Sequence, residues 1–480
     1  IRIVALEPVT HAWKEPRQFG HSSGGNGVGP HAAERLRILG EFPVRKFDAA
    51  GKQPLDADGN PDTSFLVKLP ADVAWTFQTL DRRGMVLNMA QTWHQLRPGE
   101  IRHDCGGCHA HSQEPTRFER TAAAQPGYKP FDLTKDIPLF TTRKHDVSGR
   151  QWDTDHKTGM RSTKTSVANV EYFRDVKPIF ERSCVACHTN RNGDAAAGLV
   201  LDDEQPLKIE GLQAKVPGTY VRLAADNEAH FGPKPIGGQW HYRMQESRYL
   251  RKMQARRSLL IWKVFDERLD GFQNDDFPTE IVAGDPKTLR WHGERLEPTT
   301  KNLQMSDLDY IGGSMPPPAA IAGTYLGPDK QPIKVPPLSD EEKLTLARWI
   351  DLGCPIDLDH NPAEPDRQGY GWMCDDGRPT VTVTYPRSGK NDSLDRILVG
   401  MHDYYSGLDP DSFRVVADFE LSGVAPGENL AGNFRPLSDG VWQWKLDRPV
   451  NKLATGVLKF SIKDRQGNST QVGRAFSVGK

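Results

Sequence analysis

The sequence predicts a multi-domain α+β chain: an N-terminal β-rich lobe over residues 1–100, a mostly helical and loop-rich domain over 101–376, and a C-terminal β-sandwich over 377–480. Three observations predict it. The 480 residues exceed what one hydrophobic core usually organises. Forty-four glycines and 36 prolines beside only 37% hydrophobic residues favour loops and short strands over long helices. The apolar periodicity also changes twice, from short strand-like runs to helical spacing and then to alternation after about Asp376.

In the first lobe, IRIVAL, RILGEFPV, SFLVKLP (64–70) and WTFQTLD (75–81) read as strands between Gly-, Pro- and Asp-rich turns. LDADGNPD alternates Asp56, Asp58, Asn60 and Asp62, but Gly59 holds the fourth position where a calcium loop needs glycine at the sixth, so a hairpin turn is expected. SSGGNGVG (22–29) is not followed by the Lys-Ser or Lys-Thr of a phosphate cradle and reads as a loop.

The central domain holds the clearest helices. NVEYFRDVKPIF places Val170, Phe173, Val176 and Ile179 or Phe180 at helical spacing and runs into Cys184. A second helix spans about 340–352, with Ser339 and Glu342 as a capping box, Leu344, Leu346, Ala347 and Ile350 as apolar positions and Gly353 as the stop. A third is expected over about 242–268. After 376, the alternating runs TVTVTY, RILVGMHD, FRVVADFEL, VWQWKLD, VLKFSIKD and RAFSVG fit an immunoglobulin-like sandwich.

Four of the six cysteines fall in two C-x-x-C-H strings, Cys105-Cys108-His109 and Cys184-Cys187-His188. Covalent haem attachment needs two thiols set apart by two residues to reach both vinyl groups, with the next imidazole directed at the iron. The alternative is zinc bound by two C-x-x-C pairs, which usually lie some 15–20 residues apart. Here Cys105 and Cys184 are 79 positions apart, and zinc gives no reason for a His after each pair. The central domain therefore reads as a dihaem cytochrome c domain with two covalent haem c groups, His109 and His188 being the proximal iron ligands.

The second string has a wider context. Phe180 precedes Cys184 by four residues, GGSMPPP lies far downstream, and the helix carrying Trp349 and Ile350 follows, as in small class I cytochromes c. Met315 is the expected partner of His188, with His230, His241 or His292 as bis-histidine alternatives. A methionine ligand raises the reduction potential relative to bis-histidine. For the first haem, His94 is the preferred distal ligand and Met89 another candidate. His94, His103 and His111 with Asp104 also form a local set of zinc ligands. The basic run Arg243, Arg248, Arg251, Lys252, Arg256 and Arg257 reads either as a solvated helix face or as a site for haem propionates or an acidic redox partner.

Haem attachment implies an oxidising, extracytoplasmic compartment, so periplasmic or extracellular location is expected, together with a disulfide between Cys354 and Cys374. The start at Ile1, without Met or a leader, fits a processed or truncated end. No apolar run reaches the roughly 18 residues of a membrane span, and a net charge of −1 gives no field for nucleic acid. The partners expected are redox proteins, with self-association as an addition.

The residues also resemble a family. ILGEFPV, LPADVAWTFQTLDRRGMVLNMAQTWHQLRPGE before CGGCH, VKPIFERSCVACHT, RRSLLIWKVFDERLDGF, MPPP and ARWIDLGCPID look like proteins related to the hydrazine synthase alpha subunit, over most of residues 35–360, and the terminal sandwich is similar too. The resemblance implies a β-propeller ahead of the dihaem domain, and a catalytic haem whose iron is bound by a Tyr four residues beyond an attachment His that itself binds zinc. Here that position is Gln113, with no Tyr until Tyr128, so His109 is expected as an ordinary iron ligand and hydrazine chemistry is not expected.

The function expected is electron transfer. A dihaem redox enzyme, peroxidase-like or acting on a nitrogen compound, is the alternative and needs an open iron at the first haem. A haem-bearing subunit of an extracellular assembly is the third reading.

Overall fold

The computed structural model describes residues 1–7, 35–44, 50–90, 92–103, 105, 116–134, 137–140, 160–163, 170–191, 193–208, 215–236, 245–356, 378–403, 407–438, 440–465 and 467–479. The protein is mixed α+β and divides into two compact units, Ile1–Thr163 with Val167–Leu358, and Lys164–Ser166 with Asp359–Lys480.

The first unit begins with β1 (Arg2–Glu7) and β2 (Arg35–Glu41), followed by a two-residue β3 (Val67–Lys68), then β4 (Trp75–Leu80) and β5 (Val86–Met89). Four of these form one sheet in the order β2-β1-β4-β5, with β1 antiparallel to both neighbours. SFLVKLP contributes only the two residues of β3, and β5 arises from VLNM, a run too short to stand out. The Asp56 turn is the expected hairpin: its carboxylate accepts the Asp58 and Asn60 N–H groups at 2.8 and 2.9 Å.

The boundary expected at residue 100 does not separate two cores. Val4, Leu36 and Ile38 of the sheet, with Met85 just before β5, share one apolar cluster with Tyr172, Phe180, Trp262 and Trp349. One face of a four-stranded sheet must be covered, and the helices cover it.

A π-helical turn at Tyr172–Val176 leads into α1 (Lys177–Ser183), with Pro178 in its first turn. Then come α2 (Gly218–Ala224), α3 (Leu259–Phe265), α4 (Thr300–Met305), α5 (Pro318–Ala322) and α6 (Asp340–Asp351). The capping box on α6 is present, Ser339 and Glu342 each accepting the other's backbone N–H. From Leu346 to Asp351 every residue of α6 is buried, so the helix is enclosed at its C-terminal end rather than amphipathic there.

The long helix expected over 242–268 is corrected: α3 occupies only Leu259–Phe265, residues 245–258 form turns with one 3-10 turn at Ala255–Arg257, and Arg243 with His241 lies outside the described residues. Serines compete with helical hydrogen bonding here. Ser247 Oγ accepts the Tyr249 and Leu250 N–H groups, and Ser258 Oγ accepts that of Arg251. The cations turn inward. Arg248 pairs with Glu280 at 3.0 Å, Lys252 with Glu246 at 3.7 Å, and Arg251 and Arg257 both reach Asp307. Arg256 pairs with Asp81 at 3.2 Å. Among the described residues the run is neither a solvated face nor a docking surface, because each cation is paired with a carboxylate, all but Lys252 with a sequence-distant one.

In the second unit two four-stranded sheets enclose one core among the described residues. One runs Thr380–Tyr385, Leu394–His402, Val441–Val450, Arg435–Ser438 in spatial order, and the other Gly389–Asn391, Ser469–Val478, Leu453–Asp464, Leu408–Ala417. Ile397, Val399, Trp444, Leu458, Phe460 and Phe476 alternate inward as period-two strands require. No helix among the described residues is long and apolar enough to cross a membrane.

Candidate functional site

The site that the structure describes best is Cys184-Cys187-His188. α1 ends at Ser183, and the string itself caps the carbonyl of Phe180, since the Cys184 and Val185 N–H groups both donate to Phe180 O at 2.8 and 2.9 Å. The chain then turns sharply, the Cys187 and His188 N–H groups donating to Cys184 O at 3.2 and 3.1 Å. This tight turn sets both sulfurs near one helix end. Both cysteines are half-buried, and burial pushes the Cys184 thiol up to about 12 and the Cys187 thiol above its ordinary value.

His188 is 8% exposed, and its orientation is fixed by the segment after it. Nδ1 lies 3.1 Å from Ala196 O and 3.3 Å from Leu199 O. A carbonyl only accepts, so Nδ1 carries the proton and donates, leaving Nε2 with its lone pair free to ligate. Burial lowers the imidazole's pKa, favouring the neutral ring that a metal needs. The carbonyls are presented by a loop folded back on the string: Ala196 N–H donates to Cys187 O and Leu201 N–H to His188 O. Thr189 Oγ1 to Asp202 Oδ2 at 2.8 Å closes it. At Gly193 a Cβ would stand 2.8 Å from Pro328 Cβ, so glycine permits this loop's close approach to residue 328.

Two thiols on one turn and an oriented, neutral imidazole form the donor set that a covalently attached haem requires, so the residues present fit that group. The supporting frame fits as well. Tyr172 and Trp349 lie 6.0 Å apart, ring to ring, and Tyr220 stands 6.2 Å from Trp349. Arg182 of α1 makes a two-point pair with Glu342 of α6, one arm at 2.7 Å. The Trp349 Nε1–H and the Tyr172 N–H both donate to Pro355 O, which locks the end of α6 against the turn before α1.

Met315 is half-buried in the loop between α4 and α5, and its N–H donates to Lys263 O at 2.9 Å. His230 and His292 are exposed, the latter with its ring 4.9 Å from that of Trp291, and His241 lies outside the described residues. Lys263, Asp266, Asn274 and Tyr310, which fasten the Met315 loop, were not singled out from the sequence; the Gly312-Gly313 pair beside Met315 was the available signal that the loop needs external support.

Of the first string only Cys105 is described, and it is exposed; Cys108, His109, His111, Asp104 and Gln113 lie outside the described residues. His94 pairs with Trp75 through both backbone hydrogen bonds at 2.8 Å, and its ring is 5.0 Å from the Trp75 ring. His103 stacks on Phe118 at 4.5 Å, and Met89 Sδ stands 3.7 Å from Gln78 Nε2. Tyr128 OH accepts the Leu66 N–H at 3.4 Å. No three His, Cys, Asp or Glu side chains converge as a metal-ion set among the described residues. Cys354 is a fully buried free thiol, pushed up by desolvation, and Cys374 lies outside the described residues, so the expected disulfide is not seen.

The family described as the hydrazine synthase alpha subunit middle domain matches residues 1–110. The hydrazine synthase subunit alpha of Kuenenia stuttgartiensis is 28% identical over 272 residues, which are 51% of this chain and 30% of that protein. A solved hydrazine synthase from the same organism aligns at 18% identity with a TM-score of 0.35, covering 74% of this chain and 39% of that one. An endo-beta-1,4-mannanase from Thermotoga petrophila aligns over 32% of this chain at 12% identity, with a TM-score of 0.17. The chain thus spans well under half the length of the hydrazine synthase chains it matches.

Proposed function

For a chain related to the hydrazine synthase alpha subunit, we propose the function of an exported c-type cytochrome that binds two haems covalently and transfers electrons between redox proteins. The observation that carries this reading is the His188 imidazole, held by two backbone carbonyls so that Nε2 is the nitrogen left to ligate, directly after two cysteines on one turn. Haem, when bound, supplies one-electron exchange. The chain's own part is attachment through Cys184 and Cys187 and through Cys105 and Cys108, ligation by His188 and His109, and exclusion of water by Tyr172, Phe180, Tyr220 and Trp349, all buried in the core behind α1.

Met315 is the proposed sixth ligand at the second site: it is half-buried, whereas His230 and His292 are exposed. His94 is the proposed distal ligand at the first. Location outside the cytoplasm belongs to the same reading, since covalent haem attachment at both C-x-x-C-H strings is expected of an exported chain. The terminal two-sheet unit is proposed as an immunoglobulin-like domain available for self-association.

The test is intact mass spectrometry with electron paramagnetic resonance of the oxidised protein. Two added haem masses and two low-spin irons are expected, falling to one haem in a Cys184→Ser, Cys187→Ser variant. Fewer than two haems in the wild type refutes the reading. A high-spin signal that responds to peroxide or hydroxylamine moves the function to redox catalysis at the first haem.

A further inference from the structure

Burial contributes little to holding the loop that presents Met315: Ile311 is 59% exposed, Gly312 and Gly313 are exposed, and Met315 itself is only half-buried. Polar contacts from α3 and the segment after it hold it instead. Lys263 engages the loop at both ends, its backbone O accepting the Met315 N–H at 2.9 Å and its Nζ donating to Ile311 O. The same ammonium lies 5.1 Å from the centroid of the Tyr310 ring, a cation–π distance. Tyr310 OH donates to Asp266 Oδ1 at 2.8 Å. Asn274 grips the Tyr310 backbone from both sides, accepting its N–H at 2.9 Å and donating to its carbonyl at 2.8 Å. Gly312 completes the arrangement, with φ +85° and a virtual Cβ only 3.3 Å from Lys263 Nζ. A side chain there would strain the backbone and crowd the ammonium.

We infer that Lys263, Asp266, Asn274 and Tyr310 form a latch that positions Met315 on the haem iron ligated by His188, Lys263 and Tyr310 being positioning residues. This rests on Met315 being the sixth ligand. A thioether is a neutral, weak acceptor, so its hold on iron against ligands from solution depends on how firmly the backbone presents it. A loop with two adjacent glycines and little apolar burial loses much conformational freedom when it closes. The latch makes that loss part of folding rather than of ligation.

The experiment uses the full chain with both haems bound and follows the methionine-to-iron charge-transfer absorbance of the oxidised protein while imidazole is added. Tyr310→Phe removes the hydrogen bond to Asp266 and keeps the ring, and Lys263→Leu removes the ammonium. In each, the imidazole concentration that halves the band is expected to fall about fivefold, the worth of one net hydrogen bond in the closed-to-open ratio of the loop. Haem content stays unchanged. Asp266→Asn, which keeps an acceptor for Tyr310, and Lys263→Arg, which keeps the cation, are expected to stay within about twofold of wild type. If the wild type shows the band and neither Tyr310→Phe nor Lys263→Leu moves the midpoint, the latch is refuted and the ligand stands. If the wild type lacks the band, or Met315→Ala retains it, the ligand assignment fails and the latch fails with it.

Discussion

Asp351 lies at the end of α6 with no exposure, and its carboxylate is enclosed by groups from three parts of the chain. It accepts the Val86 N–H and the Ala255 N–H, both at 2.9 Å, and stands 4.0 Å from Arg2 Nη1. Burial outweighs these partners and raises its pKa from 3.8 to about 6. A carboxyl raised in the folded state is most stabilising when protonated. That contribution is present in full below pH 3.8 and is lost as pH rises through about 6. The difference of roughly two pH units corresponds to about 3 kcal/mol. Asp351→Asn is neutral at every pH. Its amide accepts one of the two N–H groups and sets an NH2 against the other, a constant cost of about 1–3 kcal/mol. The variant should therefore gain about 2.4 kcal/mol on the wild type between pH 4 and pH 7, because at pH 4 the unfolded carboxyl is already more than half ionised. Urea unfolding at pH 4, 5, 6 and 7 measures it, followed by the fluorescence of Trp262 and Trp349, both fully buried in this unit. Asp81, itself raised chiefly by desolvation, also raises Asp351 by like-charge repulsion, so the difference between the two proteins includes the loss of that repulsion. A difference independent of pH refutes the reasoning, and a wild-type advantage that grows with pH shows that Arg2 outweighs burial.

Three further outcomes follow from the same packing. Trp349→Ala removes a fully buried indole and its hydrogen bond to Pro355 O, and should cost about 3–5 kcal/mol in urea unfolding; a loss under about 1 kcal/mol means the core collapses around the site. Glu342 is held down to about 2, first by its hydrogen bond to Arg182, so its contribution is present above pH 4.5 and lost towards pH 2. Because both partners are partly exposed, Glu342→Gln should cost only about 0.5–1 kcal/mol at pH 7 and less in 1 M salt, and a salt-independent cost would contradict an ion pair. His188→Gln leaves Cys184 and Cys187 in place, so the haem count by mass should stay at two while one low-spin resonance disappears; an unchanged spectrum would show that His188 is not a ligand.

β1 and β4 were legible as short runs rich in Ile, Val, Leu, Trp and Phe between turn residues, although burial does not alternate along them, whereas the strands after residue 378 were legible because one face is buried and period two records it. So was α6, whose start is written in Ser339 and Glu342. The basic run at 248–257 was not. Residue type announces a charge but not its counter-ion, and for Arg248, Arg251 and Arg257 the counter-ions are Glu280 and Asp307, some 30 to 56 positions away. A buried cation with a distant carboxylate and an exposed cation on a helix look identical until the fold brings the partners together.

The second haem string shows the same limit at the scale of a single ring. Cys184, Cys187 and His188 are a complete motif by residue type, yet what orients the imidazole is the pair of carbonyls of Ala196 and Leu199. Every residue has a carbonyl, so no residue type marks these two. Their placement comes from backbone conformation, with Ala197 and Gly198 both at positive φ between them, and from Ala196 N–H returning to Cys187 O. The motif therefore supplies two thiols and a ring, and the loop after it specifies which ring nitrogen is left free. Substituting Gly198 with Val, which the left-handed φ of 68° disfavours, should disturb His188 while leaving all three motif residues in place. The expected signature is a weakened or mixed-spin iron at that site with haem still attached, and an unaltered low-spin signal would mean that the carbonyls do not orient the ring.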